Sequence, residues 1–229
     1  MNVRFSILLV SMVALLSGCM SPPQLPVPLA PQALATQGAR VGIYMSALPK
    51  VDTSFPGAGC LLCMAAASIA NAQMTTYTQT LPYESLPQLK VELSKLLARK
   101  GTTVTIIDKL DIDSLSGFDS KAPNFARKNF MSLKAQHNID KLVVIQFSQV
   151  GIERNYSAYI PVGDAKARVS GVGYLVNLTD NSLDWYLPLE VNKASDGKWD
   201  EPPKFPGLTN AYFQSLEVAY DQLLAPFTK

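Results

Sequence analysis

The chain reads as an α/β (α+β) protein: a single mixed sheet with helices packed on it. Three observations predict this. Lys141 to Val150 (KLVVIQFSQV) is the strongest strand signal, and its first half is continuously apolar, as in a strand covered on both faces. Leu86, Leu89, Leu93, Leu96 and Leu97 recur at helical spacing directly before the β-branched run Thr102 to Ile107. Arg168 to Leu178 alternates, turns at Asp180-Asn181 and returns as Leu183 to Val191. The predicted order is β-α-β-α-β-β-β-α, preceded by a leader and a proline-rich tether.

The chain opens with Arg4, an uncharged apolar stretch from Phe5 to Leu16, and the small residues Ser17 and Gly18. The apolar stretch is shorter than the ~20 residues of a spanning helix, so it reads as a signal peptide over 1–18. Leu16-Ser17-Gly18-Cys19 resembles the lipobox of bacterial lipoproteins. That resemblance implies cleavage before Cys19, covalent lipid on the modified Cys19 as three acyl chains, and no other cofactor. Met20 stands where an Asp would retain such proteins at the inner membrane. The resemblance therefore implies the outer membrane, with the domain on the periplasmic face. Residues 19–38 carry Pro22, Pro23, Pro26, Pro28 and Pro31 and no charge. At about 3.1 Å per residue, an extended tether of this length reaches ~60 Å.

The domain proper is expected over 39–229, a comfortable size for one core. Arg40 to Ser46 is a short apolar strand. Ser85 and Gln88 fit a capping box before the leucine helix, and Gly101 sits at its stop position. A second helix is predicted over Ala122 to His137, with Ala126, Phe130 and Leu133 on its core face and Asn138 as a left-handed cap. Between Arg168 and Leu178, Val172, Tyr174, Val176 and Leu178 share a face. Gly171 and Gly173 share the other, where close packing is expected. Pro188 confines the return strand to an edge or bulge. The last helix starts near Thr209, with Phe213, Leu216, Tyr220, Leu223 and Phe227 as its buried stripe. The three strands joined by helices should be parallel.

Residues 53–83 contain no charged side chain and form an insertion relative to this order. At its centre lies Gly57 to Ala70 (GAGCLLCMAAASIA). Three readings stay open: a buried structural helix or hairpin, a subunit or partner interface using Leu61, Leu62, Met64 and Ile69, or an element dipping into the membrane. Cys60 and Cys63 form a C-x-x-C. An oxidising compartment favours a structural disulfide. A redox-active pair opening a helix is the alternative, against which stand the Leu-Leu between the cysteines and uncharged flanks that offer nothing to lower a thiol pKa. Zinc wants four Cys or His ligands, and His137 is the chain's one histidine.

Other candidates weigh less. His137 ends a predicted helix, where an imidazolium complements the dipole. Asp111, Asp113 and Asp119 lack calcium-loop spacing. Asp200-Glu201 sits among prolines in a predicted exposed turn. Gly171-Val172-Gly173 lies within a strand, the wrong context for a phosphate loop. No catalytic or metal constellation is expected. Net charge of +2 without a basic stripe argues against nucleic acid. Tyr156 and Tyr159 flank the loop after the long strand and Trp199 sits in a late loop; all three are candidate partner contacts.

The element order, the lipidated start and the passage His137-Asn138-Ile139-Asp140-Lys141-Leu142-Val143-Val144-Ile145 resemble Gram-negative envelope lipoproteins. Their domain is similar to the amino-terminal domain of the Tol translocation protein B and to the curli secretion lipoprotein. This implies a non-catalytic accessory or assembly subunit that binds protein partners or itself, held at the membrane by acyl chains. The hairpins that build the curli channel's barrel have no counterpart in this sequence. Two alternatives remain: a thiol-disulfide oxidoreductase using Cys60 and Cys63, and a lipid- or glycan-binding carrier.

Overall fold

The computed structural model describes residues 23–34, 38–120 and 122–228. The leader and Cys19 lie outside the described residues. The strands are β1 (Arg40–Met45), β2 (Asp52–Ser54), β3 (Thr103–Ile107), β4 (Lys141–Glu153), β5 (Tyr156–Ser157), β6 (Ile160–Pro161), β7 (Lys166–Asn177) and β8 (Leu183–Ala194). The α-helices are α1 (Leu61–Ala70), α2 (Ala72–Thr78), α3 (Leu89–Arg99), α4 (Leu133–His137) and α5 (Pro206–Thr228).

One mixed sheet runs β3-β1-β4-β7-β8, with the short β2 continuing the β1 side of β4. β1 pairs in parallel with both β3 and β4, and β2 pairs in parallel with β4. The β4-β7-β8 half is an antiparallel meander. This is the predicted class and order, with the insertion contributing β2, α1 and α2. β4 lies at the centre, and Leu142 to Ile145 are buried on both faces, which is why that segment lacks alternation. Pro188 sits on the outer strand β8, where a missing N–H breaks no ladder within the sheet.

Each face has its own core. On one, α3 and α5 cover Ile43, Val143, Ile145, Leu175 and Trp185. Leu86, Leu89, Leu93 and Leu97 are fully buried, as their spacing requires. A Cβ at Gly173 would stand 2.5 Å from the Trp185 ring and 2.7 Å from Leu223 of α5, so this glycine permits the close helix approach expected there. On the other face, α4 and the segment 107–130 cover Leu142, Val144, Tyr174 and Val176.

Four expectations change. First, the predicted helix over 122–137 reduces to α4. Ala126, Phe130 and Leu133 are buried as the spacing demands, but the backbone before α4 is irregular. It is bridged from Gly117 to Lys128 and from Phe125 to Ser182. Asn124 is left-handed there, at φ 63°, which ends any helix. Second, the Ser85 capping box does not form. Ser85 is already helical (φ −79°, ψ −15°) and makes no side-chain cap bond. A capping hydroxyl reaches the first turn from an extended backbone. Leu86–Gln88 form a 3-10 turn instead.

Third, the buried stripe of α5 keeps the expected Leu216, Leu223 and Phe227 but extends to a neighbouring row of residues. Tyr212, Ser215, Ala219 and Leu223 face the core, while Phe213 and Tyr220 are only partly covered. Fourth, the proline-rich segment packs on the domain over residues 23–34. Val27 exchanges both backbone hydrogen bonds with Tyr186 at 2.9 Å, closing part of the β8 edge. Pro31–Leu34 then form a 3-10 turn that buries Ala33 and Leu34. Apolar Leu34 and the unpaired edge outweigh the extended preference of the prolines. The left-handed cap at Asn138 (φ 52°, ψ 47°) and the left-handed Gly101 (φ 78°) stand where the sequence put them.

Candidate interaction surface

The insertion places an apolar helix on the outside. In α1 only Cys63 and Ala67, one turn apart, are buried. These small residues let the helix lie close to the domain. Leu61 is 87% exposed, Leu62 69% and Ile69 78%, with Met64 also exposed. The buried-helix reading of this segment is therefore overturned. A helix apolar on every side ordinarily sits inside a protein, so α1 presents a surface that water solvates poorly.

The β5-β6 hairpin extends that surface. Tyr156 N–H donates to the Pro56 carbonyl at 2.7 Å and Ala158 N–H to the Gly57 carbonyl at 3.2 Å, which ties the hairpin to the segment entering α1. The Tyr159 hydroxyl lies 3.6 Å from Cys60 Sγ and donates to it. Tyr159, Ile160 and Val162 are all more than half exposed. Two sequence candidates from separate segments, α1 and Tyr159, thus meet in one uncharged patch. Ile160 and Val162 belong to it as well. Sequence reasoning missed both, although the β-branched pair around Pro161 was a signal.

Tyr156 and Trp199 act beneath the patch. Tyr156 is buried edge-on to Phe55, and its hydroxyl accepts from Asn71 Nδ2 at 2.6 Å. Asn71 also donates to the Ala67 carbonyl of α1 at 2.7 Å and accepts from Arg154 at 3.0 Å. The Arg154 guanidinium stacks 4.5 Å over Trp199. Trp199, Arg154, Asn71 and Tyr156 form a chain of contacts that fixes the exit of α1. These two aromatics support the surface rather than present it.

Cys60 and Cys63 are disulfide-bonded. Cys60 is the N-cap of α1, exposed, and its sulfur accepts the Cys63 N–H at 2.9 Å. The bond staples the first turn of the exposed helix. Beside it, between β2 and the flank of α1 and α2, runs a groove of about 590 Å³ with Met64 on its wall. The groove is bridged by Thr53 and Thr75 hydroxyls at 2.7 Å. Among the described residues, no group of three or more His, Cys, Asp or Glu side chains could hold a metal ion. No helix of the described residues is long and apolar enough to cross a membrane.

No family model matches the chain, and no curated protein matches it. Among solved structures, it is similar to the PelC dodecamer from Paraburkholderia phytofirmans, at 11% identity over 85% of this chain and 91% of that one, TM-score 0.36. It is also similar to protein XCC0632 from Xanthomonas campestris (11% identity, 90% and 94% covered, TM-score 0.37). The lipoprotein GNA1162 from Neisseria meningitidis is a further neighbour (11% identity, 79% and 99% covered, TM-score 0.30). At these scores the likenesses carry no argument about function.

Proposed function

We propose that the chain is a lipid-anchored lipoprotein of the outer membrane, facing the periplasm. In this reading it is a non-catalytic accessory or assembly subunit that binds a protein partner or a second copy of itself. The observation that carries the binding half is α1: four large apolar side chains, Leu61, Leu62, Met64 and Ile69, are exposed. Exposed patches of this kind mark contact sites. The anchoring half rests on the lipobox-like Leu16-Ser17-Gly18-Cys19. Two acyl signals suffice for stable membrane attachment, and confinement at the membrane raises the effective concentration near partners there.

The test is photo-cross-linking in cells from a benzophenone side chain at position Leu62. A defined adduct with one envelope protein, or with a second copy, supports the reading. Adducts with lipid alone would overturn it in favour of a membrane-dipping α1. A second reading, thiol-disulfide exchange, draws on one observation: Cys60 is the exposed member of the pair and caps a helix, where the dipole favours a thiolate. A disulfide that stays intact in the native chain under excess dithiothreitol, as read by titration of released thiols, removes it.

A further inference from the structure

On the sheet face opposite α3 and α5, the cover is incomplete. Segment 107–130 and α4 leave open a cleft of about 470 Å³ above β7 and β8. Its floor is aromatic: Tyr174 lies 6.0 Å from Phe130 and 6.3 Å from Tyr186, centre to centre. Val172 and Pro188 form one wall, Phe125 another. Pro23 and Gln24, the first described residues, close its end, where Gln24 donates to Asn124 at 3.0 Å. The volume lies in the ~300–1,000 Å³ range of small-ligand sites.

Two of the polar side chains at this cleft are already partnered. Lys128 Nζ donates to the carbonyls of Asp113 and Leu115 at 2.7 and 2.9 Å. The Tyr174 hydroxyl donates to Gln146 at 3.4 Å. Burial, with the neighbouring Tyr186 and Tyr44, pushes the Tyr174 hydroxyl well above its ordinary pKa, so it stays neutral. None of the buried polar side-chain atoms left without a partner among the described residues belongs to a residue lining the cleft. A sugar site would offer such donors and acceptors. This one offers ring faces and aliphatic walls, with Asp113, Arg127 and Lys128 also on its lining.

Only Met20, Ser21 and Pro22 separate Cys19 from Pro23. At ~3.3–3.6 Å per residue, Cys19 stays within ~14 Å of the end of the cleft. We infer that the cleft seats one acyl chain of the chain's own Cys19 anchor. This rests on the acylation proposed above. A linker this short sets an effective concentration on the order of mM or more, an advantage that bulk lipid lacks. Seating one of three chains leaves two in the bilayer, which still anchor stably. Transfer of a chain from the bilayer to this cleft lays it against the ring faces of Tyr174, Phe130 and Tyr186. The seated chain would fix the orientation of the domain, with the β8 side of the sheet toward the membrane.

The experiment uses the full lipidated chain in vesicles of phosphatidylethanolamine and phosphatidylglycerol. A benzophenone side chain is placed at Val172, at the exposed Pro188, or at Val91 on α3 as a control from the other side of the sheet. Intact mass first establishes the state of Cys19. The expected result is an intrachain adduct between the peptide holding position 172 or 188 and the acylated amino-terminal peptide, at least tenfold above Val91 and absent in Cys19→Ser. A triacylated Cys19 with adducts to vesicle lipid, or with none, overturns the inference and leaves the anchor intact. A Cys19 without lipid overturns the anchor, and the inference with it.

Discussion

At the residue scale, Asn181 does the most for the least volume. It is completely buried in the β7-β8 turn, left-handed at φ 66°. Its Nδ2 donates to the carbonyls of Ala126 and Lys128, both at 3.0 Å, and its Oδ1 accepts from Phe130 N–H at 2.9 Å. One amide thus satisfies three backbone groups that the expected helix would have paired. Buried groups left without partners cost ~1–3 kcal/mol each, so Asn181→Ala should lose about 3 kcal/mol in urea unfolding. A loss below ~1 kcal/mol would mean that water substitutes for the amide. The sequence showed Asn181 only as a turn residue, because its partners lie more than fifty positions away. Asp140 is a second case. Its carboxylate holds Arg40 through two side-chain bonds at 2.8 and 2.9 Å, and those bonds lower its pKa despite partial burial. A depressed folded pKa gives stability that is complete above the unfolded value of about 3.9 and is lost as pH falls toward the folded one. The Tm difference between the unaltered chain and Asp140→Asn should therefore be constant above about pH 5 and shrink below pH 4, by the same linkage.

At the element scale, legibility followed how local the determinants are. β4 and α3 were readable because burial on both faces, or on one stripe, writes itself into the spacing of Leu142 to Ile145 or of Leu89, Leu93 and Leu97. The segment before α4 was misread because Ala126, Phe130 and Leu133 repeat at 4 and 3 residues, and a loop strapped from outside can bury the same positions. α1 was half legible. Its uncharged run signalled something unusual, but orientation depends on which small residues, Cys63 and Ala67, meet the domain. The Cys60–Cys63 staple belongs to this scale too. It closes a very short loop, so the chain-entropy contribution is only about 2 kcal/mol. The double variant Cys60→Ser, Cys63→Ser should keep the fold and lose no more than that in urea, since the serine hydroxyl introduced at the N-cap can still cap the helix. Faster hydrogen exchange should be confined to α1. Loss of protection in β4 or α5 would show that the staple holds more than its own helix.

At the scale of the whole molecule, the sheet separates two kinds of surface. The first described residues, Pro23 to Val27, lie beside the aromatic cleft and against β8. The α1 and hairpin patch lies at the far end of β4, tied to Pro56 and Gly57. With the anchor proposed above, a domain held at one place and apolar at another would meet the membrane and a partner at once. This separation makes the patch testable without disturbing the fold. Leu61 and Ile69 pack little against their own domain, so surface substitution should change stability by no more than ~0.5 kcal/mol. The double variant Leu61→Asn, Ile69→Asn should therefore unfold at nearly the same urea concentration as the unaltered chain. Its association should fall steeply, because both side chains would be fully desolvated only in a complex, at about 1.5–3 kcal/mol each. Light scattering across a concentration series measures the self-associated form, and the Leu62 cross-link measures a foreign partner. If both signals survive the double substitution while stability holds, α1 is not the contact surface, and its exposed leucines need another explanation.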